Sequence, residues 1–263
     1  MSVMSLVQWP AAWSRARRST ATMIVGGVAM LLMLWLMAIP LSWAPDPIGN
    51  NAAAFAEGTR MTVLLTLIAG VAGIVMGVLA ALGKLSKFPA LRWIASGYIW
   101  VMRGTPLLVQ VLFVYFALPE MVPFLKIDAF PSACIALAFN AGAYNAEAIR
   151  AGLLAIPRGQ VEAARSLGLS PWHTFIDVTL PQAFKVALPP LVSNLIALLK
   201  DSSLAYSIGV VELTNIGNQI QARTFLPTAT LTTVALTYLA LTTISTQISN
   251  AVERRFDVEG RLQ

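Results

Sequence analysis

Glu162-Ala163-Ala164-Arg165-Ser166-Leu167-Gly168 is the most informative stretch of this chain, and Val178-Thr179-Leu180-Pro181 follows it within the same polar segment. The segment lies between two long apolar runs. Gly168 is well placed to take the left-handed conformation just past a helix end. Ser170 and Pro171 suit the N-cap and the first residue of the helix that follows. These local signals predict a short helix that is bounded on both sides.

The predicted helix follows the break at Pro157-Arg158-Gly159 and covers residues 160–167, roughly 8 residues and about 12 Å. It is too short to cross a bilayer. Glu162 lies in its first turn, where the helix dipole favours an acid, and Arg165 follows at i+3 within pairing distance. A capped helix of this kind offers a partner protein a rigid surface. Composition alone leaves an ordinary amphipathic interfacial helix equally open.

The composition predicts that most of the chain lies in a membrane. Of 263 residues, 57% are hydrophobic and 11% are charged, and the mean hydropathy is +0.72. A soluble core of this size cannot bury that much apolar surface, so lipid must cover part of it. The sequence predicts an all-α, polytopic membrane protein with about six transmembrane helices. We place the spans at residues 22–44, 60–83, 98–118, 131–152, 180–200 and 228–250.

The distribution of basic residues predicts the orientation of these spans. With a cytoplasmic N-terminus and six crossings, 14 of the 18 Lys and Arg residues fall on the cytoplasmic side. The positive-inside rule therefore places both termini and the Glu162 segment in the cytoplasm. The formal charge of +6 reports this topology, because a nucleic-acid-binding protein concentrates its basic residues on one face with interleaved aromatics. No nucleic acid is expected as a partner.

Polar residues in the fourth predicted span form a stripe. Asn140, Tyr144 and Glu147 stand at i, i+4 and i+7, and Arg150 follows Glu147 by three residues. We expect Glu147 and Arg150 to pair near the cytoplasmic end and to act as a gating or structural pair. Asn140 is a candidate for the substrate pathway, and an interhelical hydrogen bond is the equal alternative.

A second polar cluster, Lys200-Asp201-Ser202-Ser203, interrupts the apolar runs 195–199 and 204–211. It has the pattern of a break in a discontinuous helix, where transporters commonly build substrate sites. Asp201 could receive an ammonium group, Lys200 a carboxylate, and the two serines could donate to the remaining polar groups. A zwitterion fits this pair of charges. Mutual neutralisation of Lys200 and Asp201 at the outer interface is the alternative.

Other local signals predict structure rather than chemistry. Pro189-Pro190 should kink or break the fifth span. Thr105 and Pro106 suit the start of the third, with Arg103 anchoring lipid phosphate on its cytoplasmic side. The single cysteine and the single histidine exclude an intrachain disulfide and argue against a metal site. The sequence lacks the phosphate-binding Gly-x4-Gly-Lys-Ser/Thr loop and the common hydrolase motifs, so an enzyme is not expected.

The Glu162 segment resembles the cytoplasmic motif of ABC importer permeases, the loop that docks on the ATPase subunit. That motif is Glu-Ala-Ala, three residues, Gly, nine residues, Ile, one residue, Leu-Pro, and here Val178 replaces the Ile. Segments 103–110 and 199–204 are similar to those of the polar amino-acid permeases of the histidine/glutamine type. The resemblance implies that ATPase coupling falls on Glu162, Ala163, Ala164, Arg165, Gly168, Leu180 and Pro181.

The resemblance covers about residues 58–255 and implies a transmembrane domain of the ABC type I importer kind, with residues 160–168 as the coupling helix. Residues 1–57 are then an N-terminal tail with an extra transmembrane helix, and residues 256–263 a cytoplasmic tail. The expected location is the bacterial inner membrane. The expected function is ATP-driven import of a polar amino acid.

The implied partners are ABC ATPase subunits, a second permease subunit, an extracytoplasmic solute-binding protein, the amino acid and membrane lipid. No cofactor is expected on this chain, since ATP and Mg²⁺ would bind the ATPase. An ABC permease for another small solute, an ATP-independent secondary transporter and a membrane scaffold are the alternatives. A secondary transporter would not depend on Glu162 or Gly168.

Overall fold

The computed structural model describes residues 15–122 and 126–256. This described part is almost entirely helical and contains no strand. Short helical turns between the main helices are left unnumbered. The main helices are α1 Arg15–Leu36, α2 Ala52–Leu85, α3 Pro89–Gly104, α4 Leu107–Met121, α5 Ala129–Leu154, α6 Arg158–Ser166, α7 Leu180–Asp201, α8 Leu213–Thr224 and α9 Pro227–Arg255.

The helices α2 and α5 form the centre of the fold. Gly73 and Gly77 of α2 lie against Ala141 and Asn145 of α5, so closely that a Cβ atom at Gly77 would be 2.6 Å from the Cβ of Asn145. Small residues allow helices to approach this closely. The close approach adds dispersion contacts, which matter in lipid because the hydrophobic effect does not drive helices together there. The helices α3, α4 and α7 pack around this pair, while α8 and α9 pack near the other end of α2.

Four helices of the described part are long and apolar enough to cross a membrane. They cover Arg17–Leu36, Gly49–Leu85, Pro171–Ile208 and Pro227–Arg255, and the bent pair of α3 and α4 would make a fifth. The fourth predicted span coincides with α5, which is long enough but carries too much polar character to meet the same test. The all-α membrane fold is confirmed, whereas the count of six is not.

The third predicted span is wrong as a straight helix. Residues 98–118 cross from α3 into α4 at Thr105-Pro106, and the two helices are bent by 111°. Thr105 caps no N–H of α4, since its hydroxyl donates to the carbonyl of Val101. Pro106 itself is the N-cap residue, in an extended conformation that the helix before it cannot continue.

The structure shows no break at Pro189-Pro190, because α7 is continuous from Leu180 to Asp201. Proline removes an N–H donor, but its fixed φ is compatible with the helical path. The irregularity lies before the prolines, where residues 174–179 form a π-helical turn between the short helix Pro171–His173 and α7.

A buried carboxylate joins three helices in the segment between the last two candidate spans. Glu212 is fully buried, and its side chain accepts hydrogen bonds from the backbone N–H groups of Thr214 and Asn215, which caps α8. It also accepts from Tyr238 of α9 at 2.9 Å and from Thr62 of α2 at 3.4 Å. Burial raises the pKa of the Glu212 carboxyl, and the hydrogen bonds from Thr214, Asn215 and Tyr238 oppose that effect.

The N-terminal helix α1 packs along α9, where a Cβ at Gly26 would meet Ile248. At the other end of α1, the Arg60 guanidinium lies 5.8 Å from the centre of the Trp35 ring. The proposed boundary between residues 57 and 58 falls inside α2, and the division into an added segment and a permease domain stays a prediction. Most of the predicted tails, residues 1–14 and 257–263, lie outside the described residues.

The α2–α5 contact predicts a sharp difference between two glycine substitutions. Gly77→Ala places a Cβ against α5. The free energy of unfolding of the protein should therefore fall by about 1–3 kcal/mol. Gly97→Ala, in α3, has no atom within 4 Å of the new Cβ and should gain up to about 1 kcal/mol of helix propensity. Thermal unfolding in nanodiscs measures both, and equal midpoints would contradict the close packing.

Candidate functional site

The predicted short helix is present as α6, Arg158–Ser166, and its C-terminal end has the predicted geometry. Gly168 has φ +86°, its N–H donates to the carbonyl of Arg165, and the N–H of Leu169 donates to the carbonyl of Ala164. These two bonds form a Schellman motif. Ser170 then caps the next helix through the N–H of His173. The C-terminal boundary is therefore confirmed, whereas the helix begins two residues earlier than predicted, at Arg158, so Glu162 does not lie in its first turn.

The helix α6 has one face against the protein and one face exposed. Ala164 is buried, because α6 packs on the π-helical turn 174–179. Glu162, Ala163 and Arg165 are exposed, and Glu162 and Arg165 form no ion pair with each other. Within the predicted coupling residues, the structure thus separates an anchor, Ala164, from an outward-facing surface.

The exposed surface of this loop also carries large apolar side chains. Leu167 is 84% exposed and Trp172 is 67% exposed, and Leu180 is 40% exposed where α7 begins. Pro181 occupies the first turn of α7 and is exposed as well. Exposed apolar side chains that flank a short helix are typical of a surface that contacts another protein or the membrane. Residues 178–181 follow α6 along the chain and supply the start of α7, rather than lying on α6 itself.

The predicted pair of Glu147 and Arg150 is confirmed as a contact and is part of a larger ion cluster. The Arg150 guanidinium donates to one carboxylate oxygen of Glu147 at 2.7 Å and 3.1 Å. Lys84, at the end of α2, donates to the other oxygen. The three side chains are 19–31% exposed. Sequence reasoning missed Lys84, whose distance from Glu147 along the chain gives no local signal.

Asn140 makes interhelical hydrogen bonds at the bend between α3 and α4. Its amide donates to the carbonyl of Met102 and to the side-chain oxygen of Gln110. The Gln110 amide in turn donates to the carbonyls of Met102 and Thr105 and to the Thr105 hydroxyl. This buried cluster satisfies carbonyls that the end of α3 leaves free. The alternative of an interhelical bond for Asn140 is what the structure shows.

The second polar cluster lies at a change of helix type rather than at a gap. The helix α7 ends at Asp201, and residues 202–208 continue as a 3₁₀ helix as far as Gly209, which has φ +86°. Ser202 is fully buried and donates to the carbonyl of Leu199, while Ser203 is half-buried. Lys200 is exposed and Asp201 is half-buried, and they form no ion pair with each other.

Comparison with known proteins identifies the family. Residues 73–258 match the family described as binding-protein-dependent transport system inner membrane component. The chain belongs to this family. It is therefore a multi-pass permease component of a transport system, and the resemblance of the Glu162 segment to such permeases is confirmed.

Individual relatives of this permease are similar over most of their length. The chain is 38% identical to the L-cystine transport system permease protein TcyB of Bacillus subtilis (strain 168), over 76% of this chain and 85% of that protein. It is 40% identical to the glutamine transport system permease protein GlnP of Escherichia coli (strain K12), over 77% and 92%. A crystal structure of an amino acid ABC transporter with histidines superposes with a TM-score of 0.74 at 39% identity, over 78% and 95%.

The ion cluster generates a stability prediction. Glu147→Gln leaves Lys84 and Arg150 partly buried without a carboxylate, so unfolding should become easier by about 1–3 kcal/mol. Glu120→Gln is the matched control, because Glu120 is exposed and forms no ion pair with the described residues. Thermal unfolding in nanodiscs compares the two variants. A Glu147→Gln midpoint no lower than that of Glu120→Gln would contradict the prediction.

Proposed function

We propose that this permease is the membrane subunit of an ATP-driven importer for a polar amino acid. The observation that carries the proposal is the exposed helix α6, closed at its C-terminal end by Gly168, beside Leu167 and Trp172. Relatives named as cystine and glutamine permeases, and the amino acid transporter structure, support the substrate class. A secondary transporter gives no reason for such a surface on a loop between spans.

The partner at α6 is an ABC ATPase, which binds and hydrolyses ATP with Mg²⁺ on its own chain. Glu162, Ala163 and Arg165 offer charged and small groups, while Leu167 and Trp172 offer apolar area. Burial of apolar side chains inside a polar rim is the usual anatomy of a protein interface. Gly168 fixes the end of this surface, since its backbone conformation sets the direction in which the chain leaves α6.

Transmission to the substrate pathway runs through the two helices that flank the loop. The loop joins the end of α5 to the start of α7, and Asn145 of α5 and Asn194 of α7 are hydrogen-bonded at 3.0 Å. Displacement of α6 by the ATPase tilts these helices and changes access to residues 200–203. Glu147 with Arg150 and Lys84 then acts as a gate at the cytoplasmic end.

Within the pathway, Lys200, Asp201 and Ser203 supply the groups that face the substrate. Ser202 and Asn140, which already donate to carbonyl oxygens, hold the walls of the pathway in place. A second permease subunit completes the pathway, and a solute-binding protein delivers the amino acid. Both termini lie in the cytoplasm, on the same side as α6.

The test of coupling is uptake of labelled amino acids by proteoliposomes that contain this chain, its ATPase and its binding protein. The panel includes L-glutamine, L-cystine and L-histidine. ATP-dependent uptake is expected, and Gly168→Asp should lower it by about tenfold or more, equivalent to at least ~1.4 kcal/mol of lost docking energy. Co-purification of the ATPase reports docking directly.

Gly209→Asp is the matched control for coupling, since Gly209 has the same φ of +86° and also has no atom within 4 Å of a new Cβ. Its backbone strain is therefore comparable, but it lies after the far end of α7. It should retain the ATPase on purification. Uptake without ATPase, or equal loss of ATPase from both variants, would refute the coupling role of the loop.

A second variant tests the pathway. Asp201→Asn keeps the shape of the side chain and removes the charge, so the apparent affinity for the amino acid should fall by about 10- to 100-fold. Asp128→Asn is the control, because Asp128 is exposed just before α5 and caps no helix through its side chain. Concentration dependence of uptake gives both values. Unchanged affinity in Asp201→Asn would remove Asp201 from the pathway.

A further inference from the structure

Arg103 is a charged side chain at an unusual position in this fold. It lies in the last turn of α3, immediately before the 111° bend into α4. The side chain is exposed, and its guanidinium lies 5.2 Å from the centre of the Tyr144 ring on α5. A cation stacked on a ring in this way keeps its N–H donors free at the edge of the guanidinium plane.

The contacts of α3 place Arg103 at the level of the middle of α5. Tyr144 precedes the end of α5 at Leu154 by ten residues, which is about 15 Å along the helix axis. This level is one helical turn from Glu147, which carries the ion cluster with Lys84 and Arg150. Anchoring of lipid phosphate by Arg103 stays a prediction.

Arg103 forms no ion pair with any described residue. The carboxylate of Glu147, one turn after Tyr144 on α5, is paired with Lys84 and Arg150. Arg103 is also not needed to close the end of α3, because Gln110 and Asn140 already donate to the carbonyls of Met102 and Thr105. Charged residues at membrane depth that lack a structural partner typically mark a substrate pathway.

The bend that carries Arg103 is packed beside the end of α7. The first turns of α4, which start four residues after Arg103, pack against the 3₁₀ helix 202–208, which starts directly after Asp201. Leu107 belongs to the same apolar cluster as Leu198 and Ala205. Two groups of opposite charge therefore stand at the adjoining ends of packed elements, each without an ion pair within the described chain.

We propose that Arg103 binds the α-carboxylate of the transported amino acid, with the Tyr144 ring holding the guanidinium plane. This inference rests on the proposed function and deepens it. It moves carboxylate recognition from Lys200, which is exposed at the end of α7, to the bend between α3 and α4. A guanidinium suits this role because it donates two parallel hydrogen bonds to one carboxylate.

The test is direct binding to the purified permease–ATPase complex in nanodiscs, without the solute-binding protein, which would impose its own selectivity. The probes are labelled L-glutamine and L-histidine, each in competition with its own α-carboxamide, which keeps the ammonium group and the side chain. The wild-type complex should prefer the amino acid by about 10- to 100-fold. Arg103→Gln should abolish that preference, and Arg103→Lys should keep part of it.

Two matched variants locate the effect. Arg92→Gln removes another exposed arginine of α3, and the preference for the carboxylate should remain. Loss of the preference in Lys200→Gln, with retention in Arg103→Gln, would overturn the proposal in favour of Lys200. Thermal unfolding identifies any variant that fails to fold. In that case, the preference of the wild-type complex for the amino acid over its amide is the deciding measurement.

Other results separate this inference from the proposed function. A wild-type complex that transports with ATP but shows no preference for the carboxylate, or no saturable binding at millimolar ligand, overturns the inference alone. Absence of both ATP-dependent uptake and binding refutes the proposed function. If Arg103→Gln changes only the response to anionic lipid, or only the assembly with a second permease subunit, the guanidinium serves lipid or the partner subunit, and the proposal is wrong.

Discussion

The close approach of α2 and α5 through Gly73 and Gly77 is the contact on which the rest of the structure depends. In lipid, helices gain little from burying apolar surface, so packing at backbone distance must supply the attraction. This contact fixes the two central helices, and the neighbouring helices pack around them. Polar side chains that would be costly in lipid can then lie on α5, since protein surrounds that helix.

The same membrane constraint explains the cluster at the bend between α3 and α4. A helix that ends inside a membrane leaves carbonyl groups without donors, and no water replaces them in hydrocarbon. Gln110 and Asn140 supply those donors from α4 and α5, so the bend is held by side chains rather than by local backbone bonds. Because these side chains already donate to the carbonyls at the end of α3, Arg103 is not needed to cap that helix. Its charge therefore requires a functional explanation.

Local rules predicted the loop well and the long-range contacts poorly. The glycine at 168 and the cap at Ser170 follow from backbone conformation and short-range hydrogen bonds, so the sequence contains the whole cause. Lys84 and Gln110 act on partners far along the chain, and nothing in their neighbourhood predicts it. The count of six spans is not confirmed, because α5 is largely covered by protein and carries less apolar character than a helix covered by lipid. Pro189-Pro190 marked no break, since the irregular turn lies before it.

The close contact of α2 with α5 and the rigid loop around α6 together allow a small displacement of α6 to be passed on to α7. The helix α6 has a fixed C-terminal geometry at Gly168 and rests on the π-helical turn through Ala164, so a push on its outer face reaches α7 without being absorbed in the loop. The pair of α2 and α5 resists the same push, because glycine contacts leave no space to compress. In the proposed mechanism, the motion is a tilt of α7 relative to α5, across the bond between Asn145 and Asn194. Asp201 lies at the end of the moving helix and Arg103 beside the fixed one, so the same displacement that opens a pathway also separates the two charges that would hold a zwitterion.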